Sequence, residues 1–247
     1  MLKIINKKTK LVKPDAVLFD TDNTIYEYDP ANNKAIKEVA IKMKNLIGIS
    51  ENKFIEKYSQ AKKEIKQQLG KTASSHSRLL YFQRLIELIG LKAQLLLALD
   101  LEQTFWRTFL DNAPLFPGVK ELFYVLKKED IPIGIVTDLT SHIQLRKLTY
   151  FGLEDVFDAV VTSEEVGADK PDKKIFFLIL KKLKLSAKDN IWMIGDNPYA
   201  DIYGAKQINA ITFQKIHRGV EQGRDEKSPD IIFDNFNHLI RYFKSCI

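Results

Sequence analysis

Near the start of the chain, Asp20-Thr21-Asp22-Asn23-Thr24 sets two carboxylates two positions apart, with hydroxyls beside them. Carboxylates so placed suit attack on an electrophile, proton transfer, or the binding of a hard cation. Three later segments carry groups of the same kind: Thr137-Asp138, Lys170-Pro171 and Gly195-Asp196-Asn197, with Asp201 five residues beyond Asp196. Each alone has a plainer reading, because carboxylates and Thr after a strand cap the next helix and a Lys-Pro pair marks a turn. Their common feature is position, since each follows a short apolar run rich in β-branched or aromatic residues.

Those runs are 16–19, 131–136, 159–161, 191–194, 210–213 and 231–233. They alternate with helical patterns at 119–128, 143–151, 174–184, 200–207 and 236–243, which predicts an α/β fold with an open, doubly wound parallel sheet of the Rossmann-like kind. Ligands in such sheets bind outside the carboxyl ends of the strands. The predicted strands therefore deliver three or four carboxylates, a hydroxyl and an ammonium to one edge.

Residues 30–111 follow a different pattern. Apolar residues recur three or four apart over 34–47, 51–69, 77–89 and 93–110, which predicts a four-helix bundle with Ser50 and Ser75 as N-caps. The predicted organisation is an α/β core of residues 1–29 and 112–247 with a helical domain of residues 30–111 inserted after the first strand. Charge divides along the same lines. Residues 30–111 carry fourteen Lys/Arg against eight Asp/Glu, the whole of the net +6, and the rest of the chain is balanced.

At 247 residues and 45% hydrophobic, the chain has material for substantial buried cores. Its apolar runs are too short for a membrane span, and no secretory signal is legible. A lone cysteine, Cys246, excludes an intrachain disulfide and reads as a spare thiol near the C-terminus, so a cytoplasmic location is expected. The basic residues are interleaved with acids along helices, and no helix-turn-helix or single-strand-binding pattern is present, so neither nucleic acid nor membrane is expected as a partner. The sequence leaves the oligomeric state open.

The order Asp-x-Asp-x-Thr, Thr, Lys, Gly-Asp with a further Asp resembles the haloacid dehalogenase-like hydrolase superfamily, in particular its phosphatases with a helical cap inserted after the first strand. The likeness spans nearly the whole chain. It implies that Asp20 is a nucleophile forming an aspartyl-phosphate, and that Asp22 protonates the leaving alcohol and later deprotonates water. It also implies Mg²⁺, held by Asp20, the backbone carbonyl of Asp22, and Asp196, with Lys170 and Thr137 stabilising the phosphoryl group. Asp22 sets the subclass, because a halide leaves without a proton and the dehalogenases lack this acid.

Around that set, Thr24 reads as an orienting group, and Asn197 either as an orienting group or as a turn former. Asp201 reads either as orienting Lys170 or a metal-bound water, or as the N-cap of a helix beginning near Ile202. Asp138, Tyr26, His76 and Arg78 are candidate substrate contacts: Tyr26 lies in a segment 26–28 read as a flap, and His76 and Arg78 in the one polar cluster at a helix start of the bundle. The excess positive charge of residues 30–111 suits steering of a small phosphorylated metabolite, such as a sugar phosphate, a sialic-acid-type phosphate or a nucleotide. A phosphomutase shares every motif. A non-catalytic phosphate-binding or regulatory protein is the alternative of a different class, although no nucleophile or metal ligand is missing.

Overall fold

The computed structural model describes residues 1–9 and 12–245, so Cys246 lies outside the described residues. The chain divides into two compact units, Met1–Tyr26 with Leu115–Ile247, and Glu27–Pro114.

The first unit is the expected α/β layer structure, built on a seven-stranded sheet. Its strands are β1 (Leu2–Ile4), β2 (Ala16–Phe19), β3 (Ile133–Thr137), β4 (Ala159–Thr162), β5 (Ile191–Gly195), β6 (Ile211–Lys215) and β7 (Ile231–Phe233), in the order β1-β7-β6-β5-β2-β3-β4. All neighbours pair in parallel except the edge pair β1 and β7. β2 lies inside the sheet between β5 and β3, and every residue of its Ala-Val-Leu-Phe run is buried, as a strand covered on both faces requires.

Alternate residues of the strands point to opposite faces. Leu18 and Met193 join Ile175, Phe176 and Ile179 in one cluster. On other residues of β2 and β5, Phe19 meets Phe123 edge-on at 5.0 Å, and Trp192 packs on Phe213 and Phe243. Gly134 in β3 permits the first of these packings, since a Cβ there would come within 2.8 Å of Leu18 and 3.0 Å of Ile179.

The second unit, 27–114, contains α1 (Tyr28–Ile47), α2 (Glu51–Leu69), α3 (Arg78–Leu88) and α4 (Leu95–Asp111), with a 3₁₀ turn at Ala73–His76. Buried aromatic residues form its core: Phe54, Tyr58, Tyr81, Phe82, Phe105, Trp106 and Phe109. Ser50 caps α2 by accepting from the Lys53 N–H. Ser75 does not cap α3. It lies within the 3₁₀ turn, and Ser77 accepts from the Leu80 N–H in its place.

The core helices are α5 (Val119–Lys128), α6 (Ser141–Tyr150), α7 (Ser163–Val166), α8 (Lys173–Lys182), α9 (Gly204–Lys206) and α10 (Phe236–Lys244). Where the sequence pattern predicts one helix over 200–207, the chain forms a π-helical segment, Pro198–Tyr203, running into α9. No helix among the described residues is long and apolar enough to cross a membrane.

Candidate active site

Asp20, Thr137 and Gly195 stand at the carboxyl ends of the three adjacent central strands β2, β3 and β5. β3 extends the sheet on one side of β2 and β5 on the other, which makes this a topological switch point. Asp20 is buried, and its backbone N–H donates to the Ile194 carbonyl at 2.9 Å, tying the acidic loop to β5. Lys170 Nζ donates to Asp20 Oδ1 at 2.6 Å, and Thr24 Oγ1 donates to Oδ2 at 3.0 Å. The ammonium also donates to Asp201 Oδ1 at 2.7 Å and to the Val136 carbonyl at 3.0 Å.

Asp201 is held from its other oxygen by the Asn197 N–H at 2.9 Å, while the Asn197 side chain caps the π-helical segment through the N–H groups of Tyr199 and Ala200. The cap is therefore Asn197, and Asp201 accepts from Lys170 and from the Asn197 N–H. Gly195 makes room for this, because a Cβ there would lie 2.4 Å from the Asp201 Cβ.

The Thr137 hydroxyl shares a hydrogen bond with Thr21 Oγ1 at 2.7 Å and accepts from Gln144 Nε2 at 2.8 Å. Asp138 accepts the Lys170 backbone N–H at 2.8 Å, which fixes the Lys170 loop against the end of β3.

Asp22 points to a different set of partners. Lys147 Nζ, from α6, donates to both its carboxylate oxygens at 2.8 and 3.0 Å, and the Tyr26 hydroxyl donates to Oδ1. Tyr26 is wholly buried, with its ring on Phe151 and its hydroxyl on Asp22, which corrects the reading of it as part of a flap and as a substrate contact, since an enclosed side chain offers no face to a substrate. Neither Lys147 nor Gln144 is in the predicted site. Helical periodicity places both on one element but carries no information about partners more than a hundred residues away.

In the second unit, Arg78 is buried with its guanidinium over the rings of Tyr81, Phe105 and Trp106 at 5.2–5.7 Å. It donates to the Tyr28 hydroxyl and, at 2.7 Å, to the carbonyl of the partly exposed His76.

Three carboxylates, Asp20, Asp196 and Asp201, offer oxygens within 4.8 Å of one another, close to the single Lys170 ammonium. Burial pushes the Asp196 carboxyl up to about 9, and Asp201 and Asp20 add to the shift. Burial likewise carries Asp20 up to about 7, with Lys170 opposing it and Asp201 and Asp22 adding to it. Asp138 reaches about 6, again chiefly through burial. Burial works against the Lys170 ammonium, yet Asp20, Asp201 and Asp138 outweigh it and hold the lysine well above its ordinary range. The site thus lacks positive charge, and its donors are all oxygen, a set that fits a hard divalent cation.

The model of the haloacid dehalogenase-like hydrolase family matches residues 14–209, a span that includes every one of these groups. The chain belongs to this family. Relatives within it include named phosphatases. The chain is 40% identical over 199 residues to the ribulose-1,5-bisphosphate 5-phosphatase of Halopiger xanaduensis, covering 80% of this chain and 82% of that protein. It is 28% identical over 229 residues to the glyceraldehyde 3-phosphate phosphatase of Methanopyrus kandleri, covering 91% and 95%. Among solved structures, the HAD phosphatase of Thermococcus onnurineus superposes with a TM-score of 0.70 at 25% identity, covering 92% of this chain and 96% of that one. The chain is accordingly a haloacid dehalogenase-like phosphatase.

Proposed function

We propose that this phosphatase hydrolyses phosphate monoesters of small sugar-like metabolites by way of a phosphoryl group carried on Asp20. The observation that carries the reading is the Asp20 carboxylate itself, buried at the switch point, held by Lys170 at 2.6 Å and by Thr24, with Asp22 two residues on. Lys170 fixes the attacking oxygen and places positive charge where the phosphoryl group arrives. Thr137, locked by Thr21 and Gln144, and the backbone N–H groups beside Asp22 and Asp138 receive the equatorial oxygens. Asp20, the Asp22 backbone carbonyl and Asp196 would hold a Mg²⁺ ion, which would supply the charge that lets an anionic nucleophile approach an anionic ester. Both side-chain oxygens of Asp201 are engaged by Lys170 and Asn197, so its part is to orient Lys170.

In the first step an Asp20 oxygen bonds to phosphorus as the bond to the leaving oxygen breaks, and Asp22 passes its proton to that oxygen, releasing the alcohol. In the second, Asp22 takes a proton from water while the water oxygen bonds to phosphorus. The Asp20 linkage then breaks, releasing inorganic phosphate and restoring the carboxylate.

Two relatives act on phosphorylated sugars by name, which favours that class over sialic-acid-type phosphates and nucleotides. Asp138, on the sheet edge, is our candidate for a substrate contact, whereas Arg78 is enclosed by the rings of the helical core and is not one. Phosphate release from a panel of pentose bisphosphates, triose phosphates, sialic-acid-type phosphates and nucleotides, with and without Mg²⁺, tests the reading. Mg²⁺-dependent release that is greatest on a phosphosugar supports it, and release that is equal with and without Mg²⁺ contradicts it.

A further inference from the structure

From the contacts around Asp22 we infer that Lys147 and Tyr26 form a clamp that positions this carboxyl group for proton transfer, an inference that rests on the reading of Asp22 as the proton donor. The Lys147 side chain is 1% exposed, whereas that of Asp22 is 31% exposed. A half-exposed carboxylate needs no buried partner for its own solvation. Sequestering an ammonium is unfavourable for folding, and an apolar residue would fill the same space without that cost. The arrangement therefore makes sense for what it does to Asp22, which is to fix the orientation of its carboxyl plane. Lys147 donates to both oxygens, and the Tyr26 hydroxyl donates to Oδ1 from a second direction.

The clamp is itself braced. Tyr26 is wholly buried and packs on Phe151 with ring centroids 5.1 Å apart, and the Lys147 ammonium lies 5.9 Å from the Tyr26 ring centre. Lys147 also shares a face of α6 with Gln144 three residues earlier, and buried Gln144 donates to Thr137 Oγ1 at 2.8 Å and to the Asp138 carbonyl at 2.7 Å. One helix face thus sets two loops of the site: Gln144 the loop after β3, and Lys147 the acidic loop after β2. In this arrangement Asp22 accepts on both oxygens, as an ionised carboxylate does, so the proton that it passes to the leaving oxygen is supplied by the Lys147 ammonium and returns to Lys147 after Asp22 has taken a proton from water. Lys147 and Tyr26 are positioning residues that act through Asp22.

The test is a comparison of kcat/KM on two esters: the best sugar phosphate from the panel, whose alkoxide must be protonated as it leaves, and p-nitrophenyl phosphate, whose phenolate leaves without a proton. Lys147→Met is expected to lower kcat/KM on the sugar phosphate about 100-fold and on the aryl ester less than about tenfold. Turnover of the aryl ester doubles as evidence that the variant has a folded site. Tyr26→Phe keeps the ring packing and is expected to lose in the same unequal way to a smaller extent, so it carries the test if Lys147→Met fails to fold. Asp22→Asn, measured beside them, is expected to show the same asymmetry at its largest. Equal losses on both esters in Lys147→Met and Tyr26→Phe, next to an unequal loss in Asp22→Asn, overturn the clamp and leave the proposed function standing. An equal loss in Asp22→Asn overturns both.

Discussion

The two units of this chain treat charge in opposite ways. In the α/β unit the buried ions of the sheet edge are brought together, Asp20, Lys170 and Asp201 in one chain of contacts and Lys147 on Asp22 beside it, while buried Lys215 lies over the Phe116 ring. In the helical unit the ion pairs lie toward the surface, as Lys42 with Asp100 and Arg84 with Glu64 do, and the interior is aromatic. Arg78 is the one buried ion among the described residues of that unit, and it is wrapped by rings and hydrogen-bonded to a tyrosine and a carbonyl. Surface pairs contribute little to stability, and buried charges cost stability unless fully matched. The helical unit is thus built as a folding core is built, while the interior at the sheet edge spends stability on arrangement.

That contrast can be broken by experiment. The largest effect belongs to Lys170. Lys170→Met removes the ammonium that three acidic groups share, so kcat is expected to fall about 10³-fold and the melting temperature to fall with it. Intact stability with lost activity would mean the buried charges are not coupled as described. Next is Phe105→Ala in the helical core, expected to cost about 3–5 kcal/mol in a denaturant titration, since it opens a cavity among packed rings. A cost below about 1 kcal/mol would show a looser interior than the ring contacts imply.

The carboxylates of the sheet edge should give the metal-free protein its own pH signature. Asp20 and Asp196, at about 7 and about 9, both titrate above an unfolded aspartate, so the folded state holds the extra protons. Their contribution is fully present below about pH 4 and is lost as pH rises through about 7 and about 9. Melting curves in chelator should show this loss. Because the cation needs these groups ionised, the rise in melting temperature on adding Mg²⁺ should be larger near pH 9 than near pH 5. A rise independent of pH would place the ion elsewhere. Smallest is Ser50→Ala, which removes the N-cap of α2 and should cost about 1 kcal/mol with kcat unchanged.

What the sequence made legible was whatever is local. The apolar runs of β2, β3 and β5 and the polar groups directly after them are written consecutively, so those strand ends and reactive residues could be read together. β1 was missed because Leu2–Ile4 is three residues long and mostly exposed, and its pairing with β7 lies more than two hundred residues away. The π-helical turn at Pro198–Tyr203 has no periodicity that separates it from an α-helix over so short a span. Ser75 was read as the cap of α3 in place of Ser77 because a run of serines offers several equivalent caps, and only the path of the backbone selects one. Lys147 is the most instructive omission. Only the fold, by laying α6 against the acidic loop, makes this lysine a buried partner of Asp22.

The most direct test of the covalent route is to quench the enzyme in acid during its first turnover with substrate and Mg²⁺, and to locate any added phosphoryl group by peptide mass, with Asp20→Asn treated in parallel. The account expects one phosphoryl group on Asp20 in the wild type, and no phosphoryl group and no phosphate release in the variant. Undiminished phosphate release by Asp20→Asn would contradict it.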